Sequence, residues 1–266
     1  MSKICAFIQM YNESVKGNLV RCLENVKQWS DNIVIYDDAS TDDSVEIARR
    51  YTRHIIQGKE NSISHELFHK QELLELALTL NPDWIMWIDC DEILDRNGTI
   101  GGLRKLAESS NAEAHSFHEI NLWRSQTYAR VDTLFNKGWF CRLWKNTNKI
   151  KFQEEYGVHL RLYPINIEVV ERSDISVIHY GFWDYNKMLV KIGAHLWNRN
   201  DFDTKAEHNW ILNETECDCY RLPNERFPVE NIPKEFWIEP KPRKIAELKI
   251  YQELVRATTL EYQNGS

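Results

Sequence analysis

Five consecutive bulky apolar residues, Trp84 to Ile88, constrain the fold of this chain more than any other feature. Such a run is typical of a strand buried on both faces, as in a parallel sheet covered by helices. It ends directly in Asp89, Cys90 and Asp91. Ligands of open α/β folds bind at the carboxyl ends of the strands, so these carboxylates are expected at a binding edge. Neighbouring carboxylates stay charged most readily beside a cation, and they predict a Mg²⁺ or Mn²⁺ site that also holds phosphate oxygens.

Three further strand-like runs precede this one, at Ile4 to Gln9, Ile33 to Tyr36 and His54 to Ile56. Helical stretches separate the four runs, and the last helix is expected from about Glu66 to Leu80. This alternation of strand and helix predicts a parallel sheet covered by helices.

Polar residues also come directly after the first two strands. Tyr11, Asn12 and Glu13 follow the first, and Asp37 and Asp38 follow the second. Because parallel strands end along one edge of their sheet, these side chains should lie close to Asp89 and Asp91. The sequence therefore predicts one binding site built from three strand ends.

The second half of the chain has a different pattern. Strand-like runs occur at Ala114 to Trp123, Phe140 to Trp144 and Ile175 to Tyr180, without regular helices between them. The segment 201–243 holds most of the prolines and is expected to be irregular. The segment 245–262 is expected to form an amphipathic helix that docks on the domain, on a second copy or on a membrane surface.

Composition narrows the function classes. The net charge of −7 and the isoelectric point near 5.8 disfavour broad binding to nucleic acid. No run approaches the roughly 20 apolar residues that span a bilayer. Six cysteines without the spacing of a zinc site are interpreted as reduced thiols. The expected location is the cytoplasm, with the membrane surface as an alternative.

Three motifs together resemble a known family. The order and spacing of Tyr11-Asn12-Glu13, of the segment from Asp37 to Asp42, and of the segment from Asp89 to Glu92 resemble family 2 glycosyltransferases of the GT-A fold. The resemblance covers about the first hundred residues. Within that family, the chain resembles bacterial enzymes that add a sugar to lipopolysaccharide core or capsule.

The resemblance implies an α/β fold of the GT-A type. A Rossmann-like, mainly parallel sheet would be flanked by helices, with a mixed β acceptor-side half and a C-terminal helical extension. The implied division assigns 1–98 to nucleotide-sugar binding, 99–200 to the acceptor side of the same domain, and 201–266 to the extension.

The resemblance also implies roles at the strand ends. Tyr11 would contact the base of a nucleotide-sugar donor, with Gln9 contributing from the end of its strand. Asp38 would accept a hydrogen bond from the imide of a uracil-like base, which makes UDP the expected nucleotide. Asp89 would lie near the ribose and the metal.

Three of the donor-binding residues have a second interpretation. Glu13 would face the donor or simply cap the following helix. Lys70 would lie near the diphosphate or be a solvated helix lysine. Asp38 could itself cap a helix, because aspartate before serine and threonine is common at helix starts.

The implied metal is Mn²⁺ or Mg²⁺, held by Asp89 and Asp91. His179 would be an extra ligand, although an isolated histidine is more often structural. His159 is followed by Leu160, where relatives often carry glutamate, so a catalytic role does not carry over to position 160.

The implied reaction is a single displacement at the anomeric carbon with inversion of configuration. A carboxylate from the second half would remove the proton of the acceptor hydroxyl, and Glu154, Glu155 and Asp184 are the candidates. Arg124 and Arg142 lie among aromatic residues and could bind donor phosphate or an acidic acceptor.

Two alternatives stay open. In a phosphatase of the haloacid-dehalogenase type, Asp89 would be a nucleophile, but that chemistry expects Gly-Thr after the aspartate pair, on a first strand. A protein could also bind a sugar nucleotide or glycan without turnover. The expected partners are a nucleotide-sugar donor and an acceptor with a free hydroxyl, which could be a glycan or lipid-linked; a homodimer is also considered.

Overall fold

The structure is a computed structural model of the 266-residue chain. It describes residues 1–14, 17–62, 65–123, 125–130, 138–147, 149–153, 163–184 and 219–221. The chain divides into two compact units. The first comprises 1–120, 137–179 and 223–231, and the second comprises 121–136, 180–222 and 232–266.

The strands are β1 (Ile4–Met10), β2 (Asn32–Asp37), β3 (Ile55–Gln57), β4 (Trp84–Trp87), β5 (Glu92–Leu94), β6 (Ala114–Trp123), β7 (Tyr128–Arg130), β8 (Trp139–Lys145), β9 (Val170–Phe182) and β10 (Cys219–Arg221). The helices are α1 (Asn18–Val26), α2 (Ser44–Ala48), α3 (Glu66–Leu78) and α4 (Leu103–Ser109), and a π-helical turn, Gly98–Gly102, precedes α4. The strands predicted from the sequence are confirmed, while β5, β7 and β10 were not predicted.

The first unit is built on a mixed sheet with the strand order β6-β8-β4-β1-β2-β3. β3, β2, β1 and β4 run parallel to one another, as the strand–helix alternation predicts. β8 is antiparallel to both β4 and β6, so the parallel part of the sheet ends at β4. β5 pairs in antiparallel fashion with β9, which brings the chain just after β4 next to residues 177–179.

Alternating residues of β1 belong to the hydrophobic cores on the two faces of this sheet. Ile4, Ala6 and Ile8 pack with α1 on one face. Cys5 and Phe7 pack with α3 on the other face. Because both faces are covered, every one of these side chains is buried, which is why the strand is apolar at consecutive positions.

In the second unit, β7 pairs with the end of β6 and with β10. The rings of Trp123 and Phe182 lie 5.4 Å apart, and the guanidinium of Arg130 lies 4.6 Å from the Trp123 ring. Cys5, Cys22, Cys90 and Cys141 are buried thiols. In the described part of the chain, no helix is long and apolar enough to cross a membrane. The predicted extension at 201–266 lies almost entirely outside the described residues.

Candidate functional site

The ends of β1, β2 and β4 meet through hydrogen bonds. The backbone N–H of Asp38 donates to the carbonyl of Met10 at 2.9 Å. The thiol of Cys90 donates to the carbonyl of Gln9 at 3.3 Å. The structure therefore brings the polar residues at the ends of these three strands to one edge, as the sequence predicts.

Asp38 is surrounded by hydrogen-bond donors at this edge. Its carboxylate accepts hydrogen bonds from the Asn61 amide at 3.0 Å and from the backbone N–H of Ser62 at 3.1 Å. Burial raises the pKa of Asp38, the Ser62 hydrogen bond lowers it, and the neighbouring charge of Asp37 raises it further. These two donors hold the carboxylate in one orientation. Asp37 has a local role, because its carboxylate accepts a hydrogen bond from the backbone N–H of Ser40.

His69, on α3, completes this cluster and was not predicted. Its Nδ1 lies 3.2 Å from the Gln9 amide and 3.7 Å from Asp38 Oδ1, and its ring stacks on Tyr36 with centroids 4.2 Å apart. Burial lowers the pKa of His69 to about 4, and the nearby charge of His65 contributes in the same direction. At neutral pH the imidazole is therefore neutral, and its Nδ1 lies beside both Gln9 and Asp38.

Tyr11 and Glu13 lie just beyond β1. Tyr11 is 40% exposed, and an aromatic ring at this position presents an apolar face. Glu13 is half-buried; its backbone N–H donates to Ser44 Oγ at 2.8 Å, and its carbonyl accepts from the Leu19 N–H at 3.4 Å. Both residues thus lie next to the sheet edge at the ends of β1 and β2, where Asp38 is.

The aspartates after β4 have different surroundings. Asp89 is the more exposed, with 38% of its side chain accessible. Asp91 is largely buried, and its Oδ2 lies 3.4 Å from Nε2 of His179. The pairing of β5 with β9, in which Glu92 is opposite His179, produces this approach. The structure thus brings together Asp91 and His179, which are 88 positions apart in the numbering.

A buried arginine lies behind Asp89. Nη1 of Arg142 is 3.4 Å from Asp89, and Nη2 is 2.5 Å from Glu92 and 3.3 Å from Glu119. Burial raises the pKa of Glu92, Arg142 opposes that shift, and the charges of Asp89 and Glu119 reinforce it. The guanidinium of Arg142 is thus directed at carboxylates of this chain. Arg124 lies outside the described residues.

Lys70 is also buried, with 1% of its surface exposed. Its ammonium pairs with Glu66 at 2.9 Å and lies 3.9 Å from the centroid of the Trp87 ring. The structure places Lys70 beneath β4, in the core between the sheet and α3.

The donor atoms at this edge suit a divalent cation in part. Within the described ranges, no three histidine, cysteine, aspartate or glutamate side chains are grouped as a metal site. Asp91 and His179 offer a carboxylate oxygen and an imidazole nitrogen, and Mn²⁺ accepts both. Phosphate oxygens of a ligand are the groups that would complete the coordination.

The candidates for the catalytic base lie outside the first unit or outside the described residues. Asp184 comes after β9, in the second unit, and is half-buried. Glu154 and Glu155 lie outside the described residues, as do His159 and Leu160.

Sequence patterns missed His69, Trp87, Glu92 and Glu119 as members of the edge. Glu92 belongs to the motif that begins at Asp89, so its position was a usable signal. His69 lies one residue before Lys70 on α3, and both are buried in the structure. Nothing local marks Glu119, because it reaches the cluster only through the pairing of β6 with β8.

The sequence matches a protein-family model and is similar to curated proteins of two Rickettsia species. The sequence model for "Glycosyl transferase family 2" matches residues 5–157, which is more than half of the chain. An uncharacterized glycosyltransferase of Rickettsia conorii is 29% identical over 139 residues, covering 51% of this chain and 46% of that protein. One of Rickettsia prowazekii is 31% identical over 140 residues, covering 52% and 45%. The chain thus matches about half the length of these curated relatives.

A solved structure supports the fold. The crystal structure of residues 1–349 of TarS from S. aureus superimposes with a TM-score of 0.50 at 15% identity, covering 76% of this chain and 68% of that one. Together with the mixed sheet flanked by helices, this similarity confirms the predicted α/β fold of the GT-A type.

Proposed function

The chain belongs to glycosyl transferase family 2, and from this premise we propose that it transfers a sugar from a nucleotide-sugar donor to an acceptor hydroxyl. One observation carries the proposal: the Asp38–His69 cluster and the Asp91–His179 pair lie at the same carboxyl edge of the parallel strands. The first offers groups that recognise a base, and the second offers ligands for a cation.

We propose UDP as the nucleotide. Asp38, held by Asn61 and Ser62, keeps acceptor capacity for the imide N–H of uracil, because a carboxylate has about four acceptor positions. Tyr11 supplies an exposed aromatic face for the base, with Gln9 and Glu13 beside it. The proposed role of Lys70 is indirect: through its contact with Trp87, it would support the part of the site next to Asp89 that binds the diphosphate.

The proposed reaction is a metal-dependent single displacement with inversion. Asp89, Asp91 and His179 would hold Mn²⁺ or Mg²⁺. When bound, such an ion neutralises the diphosphate and stabilises it as a leaving group. A carboxylate of the second half then takes the proton of the attacking acceptor hydroxyl, and Glu154, Glu155 and Asp184 remain the proposed bases.

The proposal extends to the acceptor, the cellular compartment and the assembly of the protein. The acceptor is a hydroxyl of a glycan, a lipid-linked sugar or another molecule. The buried thiols support a reducing compartment such as the cytoplasm. Association with a membrane surface and formation of a homodimer are further parts of the proposal.

The first experiment measures nucleotide release from UDP, GDP, dTDP and CMP sugars, in Mn²⁺ and in EDTA. We expect release from a UDP sugar that requires Mn²⁺. Tight binding without release, on any acceptor offered, would favour a binding protein instead of an enzyme. A phospho-aspartate at Asp89 would support the phosphatase alternative and overturn the proposal.

The second experiment uses Asp91→Asn. We expect its turnover to fall by roughly 100-fold or more, the scale of losing a preorganised group that stabilises developing charge. The matched control is Asp83→Asn. Asp83 directly precedes β4, whereas Asp91 follows it, and the Asp83 carboxylate accepts a hydrogen bond from the backbone N–H of Lys3. The control should retain wild-type turnover. Full activity of Asp91→Asn would remove Asp91 from the site.

A further inference from the structure

A bulge in β8 sets the direction of Arg142. In the pairing of β8 with β6, Leu143 is opposite His115 and Cys141 is opposite Ser116, so Arg142 is an extra residue with no counterpart in β6. Such bulges bend a strand and redirect a side chain, and they occur often beside active sites. Here the redirected side chain extends toward the residues just after β4.

The guanidinium of Arg142 joins two kinds of contact. Its Cζ lies 3.9 Å from the centroid of the Trp87 ring, the distance of a cation–π interaction. Its nitrogens reach Asp89, Glu92 and Glu119. A planar fork can serve several carboxylates at once, which the single ammonium of a lysine cannot do in the same geometry.

Trp87 binds the same aspartate directly. Its indole N–H donates to Asp89 Oδ1 at 2.9 Å, while Arg142 donates to Oδ2. The Trp87 ring is itself held between cations, because the ammonium of Lys70 also lies 3.9 Å from its centroid. Each carboxylate oxygen of Asp89 therefore accepts one hydrogen bond, Oδ1 from Trp87 and Oδ2 from Arg142.

We propose that Trp87 and Arg142 are positioning residues that fix the carboxylate of Asp89 for the metal and the diphosphate of the donor; this inference rests on the proposed function. With two donors bound, about two acceptor positions of the carboxylate remain for a cation or a ribose. Neither residue is a catalytic group. They act by presenting Asp89 in one orientation.

The burial pattern supports positioning over stability alone. Replacing a buried ion pair by apolar residues is often neutral or stabilising, so a buried arginine is weak evidence of a purely structural role. Among the three carboxylates that Arg142 contacts, Glu92 is 2% exposed and Glu119 is 15% exposed, while Asp89 is 38% exposed. The buried network thus ends at Asp89, the most exposed of the three carboxylates.

The test compares Arg142→Lys and Trp87→Phe with the wild type. Lysine keeps the positive charge but loses the fork, and phenylalanine keeps a ring but loses the N–H donor. The readout is the dissociation constant for Mn²⁺ in the presence of saturating UDP, measured by electron paramagnetic resonance of the free ion. We expect binding roughly 10- to 100-fold weaker in Arg142→Lys, as for other partners of metal ligands, and roughly 10-fold weaker in Trp87→Phe.

The matched control is Arg104→Lys. Arg104 also bridges several acceptors, namely Asp31 and the carbonyls of Ser2 and Trp29, but these precede β1 and β2 at the opposite edge. This control should bind Mn²⁺ and UDP as the wild type does. Thermal unfolding of each variant separates a loss of fold from a loss of binding, and Trp87→Phe provides the test if Arg142→Lys fails to fold.

The outcomes separate the inference from the proposed function. If the wild type binds Mn²⁺ and UDP but both folded variants bind equally well, the positioning role is wrong and the proposed function stands. If the wild type itself binds no Mn²⁺ in the presence of UDP, the proposed metal-dependent UDP site fails and the inference fails with it. Weaker binding in both variants, with an unchanged Arg104→Lys control, supports the inference.

Discussion

Burial determines the charge of single side chains at the strand edge. His69 packs between Tyr36 and Gln9 with almost no exposed surface, and its pKa is lowered to about 4. The same burial raises the pKa of Tyr36 to about 12. Both rings are therefore neutral over the physiological range, so Asp38 is the group in this cluster that offers a negative charge to a ligand.

His69 makes the stability of the fold depend on pH. The unfolded chain binds the proton of this histidine near pH 6.5 and the folded chain only near pH 4, so its contribution is present above pH 6.5 and is lost as the pH falls to 4. A difference of this size corresponds to on the order of 3 kcal/mol. In His69→Phe, the free energy of unfolding measured with urea should fall less steeply between pH 6.5 and 4.

The slope should be reduced without disappearing, because burial also lowers the pKa of His115. An identical slope in wild type and His69→Phe would show that the pKa of His69 is not lowered in the folded chain. The substitution also changes the stability at pH 7, since Gln9 loses a partner; only the dependence on pH tests the prediction.

At the scale of elements, one side chain joins a helix to a strand. The amide of Asn25, on α1, donates to the carbonyl of Leu94 at 3.0 Å and accepts from its N–H at 3.0 Å, as a neighbouring strand would. It also accepts from the indole N–H of Trp29 at 3.1 Å. α1 thus satisfies the backbone at the end of β5, on the strand that brings Glu92 to the site.

Asn25→Ala should therefore destabilise the fold strongly. Two backbone groups of Leu94 and the indole of Trp29 would be left buried without these partners, and each such group costs about 1–3 kcal/mol. We expect a loss of about 3 kcal/mol or more in the free energy of unfolding, measured by urea denaturation. Val20→Ala, on the exposed face of the same helix, should change it by no more than about 0.5 kcal/mol. Equal effects of the two substitutions would contradict the linking role of Asn25.

At the scale of the whole molecule, ligand binding should add to the stability of the fold. A ligand that binds only the folded chain stabilises it by about 2.7 kcal/mol at 100 times its dissociation constant. For a chain of this size, this corresponds to a rise of about 5–10 °C in the unfolding midpoint. We expect such a rise with Mn²⁺ and UDP together in a thermal-shift measurement.

EDTA should remove most of this rise, and Asp91→Asn should show little of it, because the cation is needed to neutralise the diphosphate. A rise with GDP, dTDP or CMP but not with UDP would reject the proposed nucleotide and keep the rest of the proposed function. A full rise in EDTA would instead reject the dependence on metal.

Much of the donor side could be predicted from sequence, because its signals are local. Apolar runs such as Trp84 to Ile88 mark buried strands, and the residues directly after a parallel strand must lie at its carboxyl edge. The positions of Asp38, Asp89 and Asp91 at one edge follow from this rule and agree with the structure. The roles assigned to them remain predictions.

The partners of these residues could not be predicted in the same way. Arg142 lies 53 positions from Asp89 and 50 from Glu92, and a bulge in β8 directs it to them. A bulge depends on how two strands pair, and no spacing within either strand encodes it. The sequence by itself thus determined the parallel strands and the carboxylates at their ends, because periodicity is a property of neighbouring residues. Only the tertiary structure decided which distant cations and donors hold those carboxylates, because strand pairing brings together residues that are far apart in the chain.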